Sequence, residues 1–216
     1  MTDELVLYTH PMSRGRIVRW MLEEIGQPYR TEVIDYGPKM KSPEYLAINP
    51  MGKVPAVRHG KVVVTECAAI CAYLADAFPT ANLAPPPGDP ARAPFYRWMF
   101  FAPGLSTAVT NKTLGFQVPK ERMGMVGWGT MDDVLTALES AVAGREYIAG
   151  DRFSAADVYV GSHLMWGMQF GTLEKRKAFE DYVARLVTRP AAKRANTLDD
   201  ALVPAHPVPG MPASKP

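Results

Sequence analysis

Cysteine is scarce in this chain: two residues in 216, Cys67 and Cys71. That number excludes a disulfide-stapled scaffold and favours a reducing compartment. Long hydrophobic runs are missing too. No stretch reaches the roughly 18 consecutive apolar residues of a spanning helix, so no membrane partner is expected. Neither sign of charge dominates, with 24 Lys and Arg against 22 Asp and Glu. Without a basic stripe, nucleic acid is not an expected partner either. Asp3 and Glu4 stand where a secretory leader would carry positive charge, so the expected location is cytoplasmic. The four histidines, His10, His59, His163 and His206, keep no metal-ligand spacing, and no metal is expected. The glycine loops GxGxxG and GxxxxGK[ST] are absent, which argues against nucleotide binding through them.

What remains is ordinary globular composition, 47% hydrophobic and 21% charged, in a chain long enough for one large domain or two small ones. Residues 4–9, ELVLYT, form a short apolar run that predicts a buried strand. Ile17, Val18, Met21, Leu22 and Ile25 recur at helical spacing over 14–25, and Gly26 stops that helix. Residues 29–36 predict a second strand. Residues 55–58 and 61–64, joined by His59-Gly60, predict a hairpin. Thr65 is then expected to cap a helix over ECAAICAYLADAF, ending at Pro79. The order β-α-β followed by β-β-α is the thioredoxin-like arrangement, with the first two strands parallel.

Residues 84–90, APPPGDP, read as an extended linker. After it the strand signal fades. Residues 91–110, 131–143 and 176–188 each carry apolar residues at helical spacing. The expected organisation is a thioredoxin-like domain over 1–80, a linker over 81–90, an all-helical domain over 91–203 and an irregular tail over 204–216. That tail holds five prolines in thirteen positions. In FSAADV, residues 153–158, Ser154 and Asp157 stand three apart, flanked by Phe153 and Val158. This spacing predicts a capping box and staple at a helix beginning near residue 155, a structural feature rather than a catalytic one.

Candidate chemistry gathers in the first domain. Tyr8 ends the first strand, and Pro11-Met12-Ser13-Arg14 leads into the first helix. A hydroxyl at that junction either caps the helix or stabilises an anion beside its unpaired N–H groups. Val54-Pro55 precedes the third strand. A cis bond there would turn the Val54 backbone outward, and proline is also tolerated at a strand start. Thr65-Glu66-Cys67 opens a helix whose amides could hold a carboxylate while Glu66 holds an ammonium. Together these residues suit a short peptide with a thiol, an amine and a carboxylate at each end. Cys67 and Cys71, four apart on that helix, are read as small buried residues.

With these segments in view, the chain resembles the soluble glutathione transferases, and most of all the bacterial and fungal serine-like branch. The resemblance rests on SRGRIVRW at 13–20, LEEIG at 22–26, PEYLAINPMGKVPAV at 43–57, TECAAICAYL at 65–74 and FSAADVYVG at 153–161. It covers about residues 4–197 and leaves the proline-rich tail outside. It implies a thioredoxin-like domain followed by a helical domain, a homodimer, and glutathione as co-substrate. Lys53, Val54, Pro55, Glu66 and Cys67 are the implied glutathione-binding residues. Serine stands at the position of Cys67 in most members, so one side-chain donor to the peptide's carboxylate is weakened here. Ser13 and Tyr8 match the thiol-activating positions of the serine-type and tyrosine-type members; the surrounding pattern favours Ser13. A small hydrophobic electrophile is expected beside the first helix of the second domain, with His10, Met12, Trp98, Phe101 and Phe116 as walls. The implied activity is conjugation of the glutathione thiolate in detoxification. The alternatives are thiol-disulfide or peroxide reduction on the same fold, or ligand binding without turnover.

Overall fold

The computed structural model describes residues 4–210. Two compact units are present. One runs to Ala81 and takes in the chain again from Arg189; the other is Asn82–Thr188.

The first unit is built on a four-stranded sheet of β1 (Leu5–Thr9), β2 (Arg30–Val33), β3 (Ala56–His59) and β4 (Val62–Thr65), in the order β2-β1-β3-β4. β1 pairs parallel to β2, Val6 opposite Arg30, and antiparallel to β3, Leu7 opposite Val57. β4 closes the hairpin with Ala56 opposite Thr65. The parallel pair, the hairpin and their order are the expected thioredoxin-like arrangement. β1 is buried on both faces, as its unbroken apolar run requires. Val6 and Tyr8 join Ile34, Met40, Tyr45 and Ala56 in one apolar cluster.

Helix α1 (Gly15–Ile25) ends where Gly26 takes a φ of 72° and its N–H bonds the Leu22 carbonyl. A four-residue helix α2 (Pro43–Leu46) and α3 (Cys67–Ala77) complete the N-terminal stretch. Two expectations are corrected. β2 spans four residues rather than eight: the Ile34 N–H makes the last bond to β1, at the Thr9 carbonyl, and Gly37, at φ 99°, turns the chain. Thr65 does not cap α3: it is the last paired residue of β4, and Glu66 occupies the boundary.

The second unit contains α4 (Arg92–Thr113), α5 (Met131–Val142), α6 (Ala155–Gln169) and α7 (Lys177–Val187), with no strand among its residues. α6 begins at residue 155 as the FSAADV spacing predicts. The Asp157 carboxylate accepts the Ser154 N–H at 2.9 Å. It also accepts the Ile148 N–H at 2.8 Å and the Tyr182 hydroxyl at 2.7 Å, all in a fully buried setting. Burial pushes the Asp157 carboxyl up, and these donors oppose the shift. The residue thus ties the 148 loop and α7 to the start of α6.

Helix α8 (Pro190–Asp200) belongs to the first unit, not to the helical one as its position in the chain suggested. It buries Ala191, Ala192 and Ala195 and is charge-complementary to α1. Arg16 pairs with Asp200 at 2.7 Å, Arg19 with Asp199 at 2.8 Å, Glu23 with Arg194 at 3.1 Å, and Glu24 with Arg189 at 2.7 Å. The order of the pairs runs antiparallel. Arg19 and Asp199 are both buried, so breaking that pair would strand a charge. Of the expected irregular tail, residues 203–205 form a 3-10 turn, and the part beyond residue 210 lies outside the described residues.

Candidate active site

The loop from the end of β1 into α1 is tightly specified. A side chain on Gly15 would overlap Thr9, so only glycine lets the first turn of α1 sit against the strand end. The Gly15 N–H donates to Ser13 Oγ at 2.9 Å, and the Ser13 hydroxyl donates to the His10 carbonyl at 2.7 Å. Ser13 is half-buried at the N-terminal end of the α1 dipole. The His10 ring is fully buried; its Nδ1 accepts the Met12 N–H at 3.1 Å, which places the proton of the neutral ring on Nε2. Burial holds the His10 imidazole below its ordinary range; Asp35 opposes this and His206 adds to it.

The second part is the turn before β3. Val54-Pro55 is cis, as expected. The Lys53 carbonyl is held from two sides, by the Tyr45 hydroxyl and by Asn49 Nδ2, both at 2.7 Å. Asn49 Oδ1 also accepts the Met51 N–H at 3.1 Å. Lys53 itself is exposed, Val54 half-buried and Pro55 buried.

The third part is the start of α3. Glu66 is exposed and sits at φ 67°, one of two non-glycine residues with positive φ among those described. A side-chain-bearing residue held there is strained by about 1–3 kcal/mol, a cost commonly found at ligand-binding positions. No side chain caps the helix at this boundary. The Cys67 thiol donates to the Arg14 carbonyl at 3.5 Å, which joins the start of α3 to the Ser13–Arg14 turn. Its hydrogen bond with Cys67, together with burial, pushes the Cys71 thiol well up, so Cys71 is inert at neutral pH.

The structure therefore brings Ser13 and the Glu66-Cys67 pair together and sets Lys53-Val54-Pro55 in a braced turn of the same unit. Tyr8 is placed differently: it is buried in the apolar cluster with its ring 6.1 Å from that of Tyr45. Of the expected electrophile walls, Met12 is exposed whereas His10 is closed off completely. In the helical unit, Trp98 is buried with its ring edge-on to Phe101 at 5.1 Å. Phe116 is exposed and lines a cavity of about 460 Å³ with Val118, Met123 and Trp128. Sequence reasoning missed Asn49, Tyr45 and Gly15. All three lie inside the quoted segments, and asparagine ahead of Pro-x-Gly is a turn-bracing signal.

Comparison with known proteins identifies the family. Residues 12–77 match the glutathione S-transferase N-terminal domain family, and residues 105–190 match the glutathione S-transferase C-terminal domain family. The chain belongs to the glutathione S-transferase superfamily. Glutathione S-transferase GST-4.5 of Xanthomonas campestris pv. campestris is 27% identical over 192 residues, 84% of this chain and 92% of that protein. A crystal structure of a glutathione transferase from Methylococcus capsulatus str. Bath has a TM-score of 0.74 at 27% identity, covering 91% of this chain and 99% of that one. A sphingomonad glutathione S-transferase complexed with glutathione has a TM-score of 0.71 at 26% identity, covering 90% and 98%. This transferase is an enzyme of the glutathione-transferring type. Among its described residues, no helix is long and apolar enough to cross a membrane.

Proposed function

We propose that this glutathione transferase adds the glutathione thiolate to small hydrophobic electrophiles, with Ser13 as the donor that stabilises the thiolate. The observation that carries this reading is the contact of Cys67 with the Arg14 carbonyl, because it sets the open start of α3 beside the Ser13 turn. Glu66 takes the γ-glutamyl ammonium, and the Cys67 N–H takes the adjoining carboxylate. Val54 bonds the cysteinyl backbone ahead of Pro55, and Lys53 attracts the glycyl carboxylate. The thiol is then delivered to the β1–α1 loop, where the Ser13 hydroxyl swings from the His10 carbonyl to the sulfur. One charge-assisted hydrogen bond and the α1 dipole together supply about 2–3 kcal/mol in favour of the thiolate. The sulfur forms its new bond to the electrophilic carbon as the leaving group departs with the bonding pair. The protein contributes ionisation and proximity. Exposed Met12 is the apolar surface that the loop offers to the electrophile; His10 acts from beneath the loop rather than as a wall. The working form is proposed as a homodimer in the cytoplasm, engaged in detoxification.

The test is retention on immobilised glutathione followed by conjugation of 1-chloro-2,4-dinitrobenzene, run beside a disulfide-reduction assay. Retention with conjugation supports the reading. Retention with disulfide reduction alone would replace it with a reductase, and retention without either turnover would replace it with a binding protein.

A further inference from the structure

The part of the chain beyond the resemblance reaches the Ser13 loop. His206 follows the 3-10 turn at Val203–Ala205 and is half-buried. Its Nδ1 lies 2.6 Å from Asp35 Oδ1, in the segment after β2. Its ring stands edge-on to His10, with centroids 6.4 Å apart. On another side of His10 lies Tyr36, 4.4 Å between centroids, whose hydroxyl donates to the Met12 carbonyl at 3.1 Å. The His10 Nε2 is buried without a hydrogen-bond partner. The titratable groups facing His10 are thus Asp35, Tyr36 and His206, and Arg14 acts on Tyr36 from the same loop.

We infer that His206 is a positioning residue for the thiol-activating loop: anchored by Asp35, it keeps the His10 ring buried and neutral, so that Nδ1 goes on accepting from the Met12 N–H. The reasoning follows from one atom. Neutral His10 uses Nδ1 as an acceptor; protonated His10 has a donor at both ring nitrogens and must release the Met12 amide. That amide is next to Ser13, whose hydroxyl bonds the His10 carbonyl. Protonation of one buried ring therefore removes the Met12 bond that holds the chain immediately before Ser13. Asp35 alone would draw a proton onto His10. His206 counters this twice, by engaging the Asp35 carboxylate and by burying the ring. This inference rests on the reading of Ser13 as the activating hydroxyl.

The test is the pH profile of kcat/KM for glutathione, with the His10 ring titration followed by NMR on the intact chain. In His206→Ala, His10 is expected to take up its proton at higher pH than in the wild type. The acid limb of the profile should follow, with activity about threefold lower at about pH 6 and within about twofold at about pH 8. His206→Gln keeps a donor for Asp35 and should show the same shift, smaller. In a His10→Asn background the amide oxygen accepts from Met12 and does not titrate, so His206→Ala should no longer move the limb. An unchanged His10 titration in His206→Ala, or a limb shift that persists in His10→Asn, overturns the inference. If the wild type shows no glutathione conjugation, the proposed function fails, while the ring titration still decides whether His206 governs His10.

Discussion

At α3 the boundary residue Glu66 provides no side-chain cap, whereas α5 and α6 of the helical unit open on paired caps. At α5, Thr130 Oγ1 accepts the Asp133 N–H at 3.1 Å, and the Asp133 carboxylate accepts the Thr130 N–H at 2.8 Å. At α6, Asp157 takes four donors. The difference separates two uses of the same chemical group. A capped helix start has spent its amides on the chain and contributes stability. An uncapped one keeps amides and dipole available for an anion from outside. Strain follows the same division, since Glu66 holds a positive φ at the uncapped start of α3.

The largest effect is expected from removing the deepest cap. Asp157→Ala would leave the Ile148 N–H, the Ser154 N–H and the Tyr182 hydroxyl without their acceptor, all in the buried interior. Each orphaned buried donor costs about 1–3 kcal/mol, so we expect about 3–5 kcal/mol of lost stability in urea denaturation. This exceeds the 0.5–2 kcal/mol range of an ordinary cap, because the carboxylate also holds α7. Conjugation per folded molecule should stay near wild type. If activity falls while stability holds, the division between capped and uncapped starts is wrong at α6.

Next in size is Ser13→Ala, which removes the hydroxyl that accepts the Gly15 N–H at the start of α1. Losing about 1.5–3 kcal/mol of anion stabilisation should lower turnover at neutral pH about tenfold or more. Glutathione affinity should change little, and bound glutathione should form its thiolate at higher pH, read from the thiolate absorbance. Tyr8→Phe should do far less, since Tyr8 lies in the apolar cluster. The reverse ranking would move thiol activation from the loop to the end of β1.

Most of the first unit was legible because its signals are local. The ELVLYT run, the Gly26 stop and the hairpin around His59-Gly60 each specify an element within a few residues. The segments carrying Val54-Pro55 and Glu66-Cys67 were legible as candidates by their order. What escaped depends on distant partners. The pairing of α8 with α1 is written in Arg16, Arg19, Glu23 and Glu24 against Asp200, Asp199, Arg194 and Arg189, and it becomes visible only when the two helices are set antiparallel. The reach of Asp157 to Ile148 and Tyr182 exceeds what a capping box can announce. The engagement of His206 with Asp35 lies in a stretch whose prolines signal only irregular chain.

A smaller effect distinguishes an exposed cap from a buried one. Thr130→Ala removes an acceptor at the surface, where water replaces it. We expect about 0.5–1 kcal/mol in thermal or urea unfolding and unchanged conjugation. A loss as large as that of Asp157→Ala would mean that burial is not what separates the two caps.

The smallest effect is expected at Cys67, and it sharpens the comparison from the uncapped side. The Cys67 thiol is a weak donor already engaged with the Arg14 carbonyl at 3.5 Å, the long distance typical of sulfur. In Cys67→Ser the shorter C–O bond draws the donor away from that carbonyl, and the hydroxyl is freed for an anion at the start of α3. One added hydrogen bond contributes about 1 kcal/mol, so glutathione should bind about fivefold more tightly in calorimetry. Turnover at saturating glutathione should hardly change, because Cys67 is proposed to hold the γ-glutamyl end and not the sulfur. Unchanged affinity would mean that the γ-glutamyl carboxylate takes only the backbone amide. A fall in turnover at saturation would place Cys67 nearer the reacting sulfur than the γ-glutamyl assignment allows.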